Sequence, residues 1–106
     1  MSSSIDAGLN ASPLQASWSY TNLAALATTT IKSGPGRLKS ITINTAGASS
    51  NTVTVYDNTA GSGDTIATID GTAAEQTLDY GGVEFTTGLT VVIATGTAAD
   101  ITVTWA

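Results

Sequence analysis

Carboxylates are the side chains of this 106-residue chain that come closest to acid–base chemistry. The chain has no His and no Cys, so the usual general base and the thiol nucleophile are missing. A glycosidase needs two carboxylates facing each other across a cleft. Turns also favour Asp, because its side chain hydrogen-bonds the local backbone. We interpret the acidic residues of the central region as turn or polar-face carboxylates and expect no enzyme activity; they are Asp57, Asp64, Asp70, Glu75, Asp79 and Glu84.

A cation site is the second chemistry that the acidic residues suggest. Asp57 and Asn58 on one side and Asp64 on the other bracket a glycine-rich loop. Clustered oxygen atoms of this kind suit a hard cation such as Ca²⁺. The loop lacks the acidic order and the closing Glu of an EF-hand. We therefore expect a plain turn, with no metal and no other cofactor.

Aromatic side chains offer a third possibility, a platform on which sugars stack. Trp18 and Trp105 each continue an apolar face of a predicted strand, which favours a place in the core. Tyr56 breaks the inward phase of Val53 and Val55, so it is the aromatic residue that we most expect to be exposed. It lies next to Asp57, and a tyrosine beside a carboxylate suits contact with a sugar or a protein.

The three basic residues, Lys32, Arg37 and Lys39, flank one turn, Ser33–Gly36. A basic corner on an acidic chain suits docking to an acidic partner. Lysines on edge strands also protect against sheet-to-sheet association, and we prefer this simpler interpretation. The residues nevertheless remain candidates for partner contact.

Strands must position all of these residues. Between Gly36 and Asp70 the sequence reads as three strands in a row, with apolar β-branched residues alternating with Thr and Asn. Such period-two alternation, interrupted by Gly, Ser and Asn, is typical of antiparallel strands with one solvated face. Leu38 is out of phase with Ile41 and Ile43, and a bulge near Lys39 would bring all three to one face.

The rest of the chain continues this pattern. Residues 14–20 predict a first strand with Trp18 and Tyr20 on its apolar face, and residues 22–27 a short turn or 3₁₀ segment. Gly81-Gly82 predicts a turn between two short strands, 77–80 and 83–85. Seven to nine short strands at intervals of about ten residues, without a substantial helix, predict an all-β fold. We expect an antiparallel β-sandwich, jelly-roll-like, over residues 14–106.

The composition limits the partners. Charged residues make up only 10% of the chain, while there are 20 Thr and 16 Ala. So little charge gives weak protection against association, which suggests a surface covered by partners or strand edges paired in a homo-oligomer, possibly a trimer. The net charge is −5, without a basic stripe, so we expect no nucleic acid partner. We see no signal peptide and no membrane span, and we expect synthesis in the cytoplasm and no membrane partner.

Residues 1–13 predict an N-terminal arm, because they are small, polar and without a period. Such an arm is a candidate for contact with a neighbouring copy or another partner. The contact residues that we propose in it are Ser4, Ile5, Asp6 and Leu9; those outside it are Lys32, Arg37, Lys39 and Tyr56.

Four stretches of the sequence carry a family resemblance. They are G-x-L-x-S-I-T-I-N-T-A-G from Gly36, T-V-T-V-Y-D from Thr52, V-x-F-x-x-G-L-T-V-V from Val83 and G-T-A-A-D-I-T-V-T-W from Gly96. In residue pattern and in the order of the segments they resemble small all-β structural proteins of tailed bacteriophages. The resemblance covers residues 14–105 and carries no catalytic motif. It implies a virion component made in the bacterial host.

These observations give one leading hypothesis and two alternatives. The first is a capsid decoration (cement) protein that binds phage capsid proteins and stabilises the shell. The second is a tail or fibre accessory, or a receptor-binding module for carbohydrate. The third, a hydrolase, is disfavoured by the missing His and Cys.

Overall fold

The structure is a computed structural model and describes residues 17–106. Eight strands follow one another in this range, and the β-branched alternation of the sequence explains their positions. We number them β1 (Ser19–Leu23), β2 (Ala27–Ser33), β3 (Gly36–Thr45), β4 (Thr52–Asp57), β5 (Asp64–Asp70), β6 (Gln76–Phe85), β7 (Gly88–Ala94) and β8 (Asp100–Trp105). The described residues contain no helix, hence none long and apolar enough to cross a membrane.

The strands form two four-stranded antiparallel sheets. Sheet one has the order β1-β8-β3-β6 and sheet two the order β2-β7-β4-β5. Strands therefore pair first with last: β1 with β8, β2 with β7, β3 with β6 and β4 with β5. This nested pairing across two sheets is the jelly-roll topology. The predicted all-β sandwich and its jelly-roll character are confirmed.

The core lies between the two sheets and is made by the inward residues that the alternation predicted. Each buried apolar residue replaces water contacts by close packing, at about 1.5–3 kcal/mol for a large side chain. The set consists of Leu38, Ile41, Ile43, Val53, Val55, Ile69, Phe85, Leu89, Val91, Ile93, Ala99, Ile101 and Val103.

The predicted bulge in β3 is present. The register with both β6 and β8 shifts between Leu38 and Ser40, and Leu38, Ile41 and Ile43 are all buried. The prediction of a turn at Gly81-Gly82 is wrong. Both glycines have positive φ, 66° and 80°, but they form a bulge inside the single strand β6. The left-handed conformation serves the bulge as well as it would serve a turn.

The predictions for the first strand need two corrections. Residues 22–27 do not form a turn or 3₁₀ segment as a unit: β1 continues to Leu23, and only residues 24–26 connect it to β2. The inward face of β1 carries Thr21 and Leu23, opposite Val103 and Ile101 of β8. Tyr20 therefore points outward, and the part of the predicted strand before Ser17 lies outside the described residues.

Connections of two to six residues join the strands and gather at two ends of the sandwich. At one end, Gly47 donates to Gly71 and Gly71 to Asn51, and Ala48 and Thr97 exchange two backbone hydrogen bonds. These bonds tie the β3–β4, β5–β6 and β7–β8 connections together. At the other end, Gly34 donates to the carbonyl of Thr87 over 2.9 Å. The two ends are thus closed by backbone contacts between loops.

The β4–β5 connection, residues 58–63, lies across the outer face of sheet two. The Thr90 hydroxyl donates to the carbonyl of Asn58 over 2.7 Å, and the Thr30 hydroxyl donates to the carbonyl of Thr59 over 3.1 Å. Thr90 points outward from β7 and is nevertheless fully buried. The glycine-rich loop therefore covers part of this sheet, and the corresponding face of sheet one has no such cover among the described residues.

Candidate functional site

The candidate contact residues do not form one cluster. Arg37 and Lys39 lie on the outer face of sheet one, whereas Tyr56 lies on the outer face of sheet two, opposite Thr90 of β7. Lys32 belongs to β2, at the edge of sheet two. The four arm candidates, Ser4, Ile5, Asp6 and Leu9, lie outside the described residues.

Each basic side chain has a partner of its own. The Arg37 guanidinium donates to Glu84 over 3.0 Å and to the carbonyl of Gly82 over 3.2 Å. The Lys39 ammonium lies 3.7 Å from a carboxylate oxygen of Asp79. These pairs join neighbouring strands β3 and β6 and are solvent-exposed, so each contributes about 0–1 kcal/mol to stability.

Lys32 holds a different contact. Its ammonium lies 6.0 Å from the centroid of the Trp105 ring, which fits a cation–π interaction across the open edge between the sheets. Trp105 is half-buried, packs against the core and donates from Nε1 to the Thr21 hydroxyl over 3.0 Å. It thereby ties the end of β8 to β1 and, through Lys32, to β2.

The aromatic residues differ from the prediction in their exposure. Trp18 was expected in the core and is 40% exposed. Tyr56 was the aromatic residue that we most expected to be exposed; it is half-buried, whereas Tyr20 is 75% exposed. No pocket is found in residues 17–106, so none of these rings lines a groove there.

Asp57 connects two loops. Its carboxylate accepts hydrogen bonds from the backbone N–H groups of Thr86, Thr87 and Gly88, at 2.8–3.3 Å, and from the Thr86 hydroxyl. The backbone N–H groups of Thr86 and Thr87 are the main cause of a lowered pKa of Asp57, which lies below its ordinary value of 3.8. The carboxylate thus fixes the β6–β7 connection at the end of β4.

The same contacts bear on the cation hypothesis. The Asn58 amide donates to the carbonyl of Ser62 and accepts from the N–H of Thr59, so it shapes its own loop. The described residues hold no group of three acidic, His or Cys side chains placed to bind a metal. The side chains of Asp57 and Asn58 thus hold the backbone of two loops.

Substitution of Asp57 by Asn should make stability less dependent on pH. The ionised carboxylate stabilises the folded state fully above its unfolded pKa, and this contribution is lost as the pH falls through the lowered folded pKa. Urea unfolding should show that Asp57→Asn costs about 1–2 kcal/mol at pH 7 and less near pH 2. Asp64→Asn, at the opposite position of the same strand pair, is the control. An equal loss at both pH values would contradict the role of the charge.

The outer face of sheet one carries a network of amides and hydroxyls. Asp100 accepts from the amides of Asn22 and Asn44, at 2.7 and 3.2 Å, and these donors keep the pKa of Asp100 below 3.8. Asn44 also donates to the Thr102 hydroxyl, while Thr42 and Thr77 share a hydrogen bond of 3.0 Å. The network adds amides and hydroxyls to the ion pairs that β3 and β6 carry on this face.

Charge is distributed unevenly over the sandwich. We define the β1/β2 side as residues 17–33, which include one edge strand of each sheet and the connection between them. The connection has only three residues, so both edges lie on the same lateral side. Lys32 is the one charged residue on the β1/β2 side. The opposite side, formed by β5 and β6, has Asp64, Asp70, Glu75, Asp79 and Glu84.

Exposed apolar residues mark the β1/β2 side as well. Trp18, Tyr20 and Leu26 are 40%, 75% and 51% exposed, and Ala24, Ala25 and Ala27 are exposed beside them. From the sequence we predicted Trp18 and Tyr20 on the apolar face of the first strand, and we expected that face to point into the core. The sequence signal that identifies this surface is the run of 25 residues without any charge, 7–31, before Lys32.

Comparison of the chain with protein-family models, with curated proteins and with solved structures gives no match.

Proposed function

We propose that this protein is a non-enzymatic structural component of a tailed-bacteriophage virion, and that it decorates the capsid. The observation that carries the proposal is the surface of the sandwich, which offers broad hydroxyl-rich sheet faces and a lateral side with exposed apolar residues and one charge. Surfaces of this kind suit extended contact with other proteins. The resemblance to small all-β phage proteins supplies the biological setting.

The stabilising role follows from mass action. A protein that binds only the assembled shell stabilises it in proportion to its affinity and concentration. Many copies that bridge neighbouring shell subunits would add such contributions over the whole particle. The jelly roll itself does not specify this role, because one fold hosts many functions. The closure of both loop ends gives a rigid body that fits a bridging element.

Removal of the protein from the particle provides the test. Phage particles assembled without it should lose infectivity faster on heating and on osmotic shock, and addition of the purified protein should restore resistance. Electron microscopy of intact particles should find it on the outer surface of the head. Particles of normal resistance, with the protein located on the tail, would overturn the decoration role.

A further inference from the structure

The β1/β2 side contains an edge without the usual protection. β1 pairs with β8 over five residues without a register shift, and within the described residues no strand covers its other edge. It has no Pro, no bulge and no charge. Natural proteins commonly protect an exposed edge with a Pro, a bulge or a charged side chain, because its free N–H and C=O groups can pair with another strand.

The other edges are better protected. The β6 edge carries Asp79, Glu84 and the Gly81-Gly82 bulge, and β5 begins and ends with Asp. The β2 edge has a register shift between Thr30 and Lys32. Of the four edge strands, β1 is thus the one without a charge or a bulge to hinder pairing with another chain.

We propose that two copies of this chain pair through β1, antiparallel about a two-fold axis at Thr21, so that their first sheets join into one sheet of eight strands. An isologous contact of this kind places residue i of one copy opposite residue j of the other, and j opposite i. Although its biological use rests on the decoration role proposed above, the contact is a property of the isolated protein.

The charge distribution favours a second copy as the occupant. Each copy carries a net charge of −5, so contact between two acidic sides is repulsive. The β1/β2 side has no acidic residue, and pairing there keeps the acidic sides of the two copies far apart. Self-association therefore meets the least repulsion on this side.

The register about Thr21 also matches the exposed apolar residues. It places Tyr20 opposite the partner's Asn22 and Trp18 opposite the partner's Ala24. The exposed side chains that this register offers to the partner are Tyr20 and, in the apolar connection after β1, Leu26, whereas the Trp18 ring lies near Gly82 of β6. Burial of an aromatic ring against such a surface is a strong contribution at protein interfaces.

A single cysteine tests the register. The chain has no Cys, and Thr21→Cys would place one thiol opposite its own copy at the two-fold axis. Opposed Cβ atoms in antiparallel strands lie about 4.5–5.5 Å apart, close to the distance that a disulfide spans. Under mild oxidation most of the Thr21→Cys protein should run as a reducible dimer. Thr77→Cys, on the edge strand β6, is the matched control: it should not form a covalent dimer, because its thiols lie far from the two-fold axis.

Sedimentation of variants with intact folding tests the apolar contact. The wild-type protein should show a concentration-dependent dimer, and Leu26→Asp should weaken it at least tenfold. Val83→Asp makes the same kind of change at a 44%-exposed residue of β6 and should leave the dimer unchanged. Equal effects of the two substitutions, or efficient cross-linking by Thr77→Cys, would overturn the assignment.

A monomeric wild-type protein overturns the proposal at once. The decoration role is tested independently of the dimer. A dimer that does not bind phage shells refutes that role and leaves this inference intact, while a monomer that binds shells does the reverse.

Discussion

Replacement of Asn51 by Ala should destabilise the protein more than the loss of any other amide side chain in residues 17–106. Asn51 is 1% exposed and satisfies three backbone groups from two elements. Its amide donates to the carbonyls of Ala94 and Thr95 over 3.0 and 2.9 Å, and its carbonyl accepts from the N–H of Ala99 over 3.0 Å. The Ala variant leaves these groups without partners in a closed site.

The expected magnitude follows from the cost of unsatisfied buried groups. Each such group costs about 1–3 kcal/mol, so Asn51→Ala should lose about 3–5 kcal/mol of unfolding free energy in urea. Asn44→Ala is the control, because it removes the same atoms from an exposed amide that also makes two hydrogen bonds. It should lose less than about 1 kcal/mol. Equal losses would show that Asn51 does not hold the loops together.

An Asn51→Asp variant adds a pH signature. It retains an acceptor for Ala99, but an ionised carboxylate would face two carbonyl oxygens in a buried site. Burial and these oxygens raise the folded pKa of that carboxyl above its unfolded value. The variant should therefore be most stable below about pH 4 and lose stability as the pH rises through the raised pKa. A stability profile parallel to that of the wild-type protein would contradict this placement.

The alternation of residues was sufficient to predict the sandwich and most of its core. Ile41, Ile43, Val53 and Val55 lie inward as the period-two pattern requires. The pattern failed at β1, where the inward residue Thr21 is polar. Its hydroxyl accepts a hydrogen bond from the half-buried Trp105, a partner 84 positions away. Local periodicity contains no information on such a partner.

Glycine and asparagine were ambiguous for a related reason. Gly81-Gly82 adopts the positive φ values of a turn, and only pairing with β3 on both sides makes it a bulge. Asn51 follows a run of small residues that reads as an ordinary hairpin loop. Its burial depends on the meeting of three connections that are distant in sequence. The same holds for the β1/β2 side, because only the topology brings β1 and β2 to one side.

Substitution of Gly96 by Ala should strongly destabilise the folded protein, far more than the same substitution at Gly81. Gly96 has φ 64°, and a Cβ there would overlap the carbonyl oxygens of Ala48 and Ser49. Both are backbone atoms of the neighbouring β3–β4 connection, which has positive φ at Ser49 and Ser50. The two connections are held together by the hydrogen bonds between Ala48 and Thr97, so neither can move away without breaking them.

Gly81→Ala separates the two causes of this damage. Gly81 has nearly the same φ, 66°, but a Cβ there meets no atom within 4 Å. The left-handed conformation alone should cost about 1–2 kcal/mol in Gly81→Ala. Gly96→Ala adds the backbone overlap, and we expect a loss of at least about 4 kcal/mol in urea unfolding, or no soluble folded protein. Similar losses in the two variants would mean that the β7–β8 connection yields to a side chain, and that the loop end is not the rigid closure inferred from its hydrogen bonds.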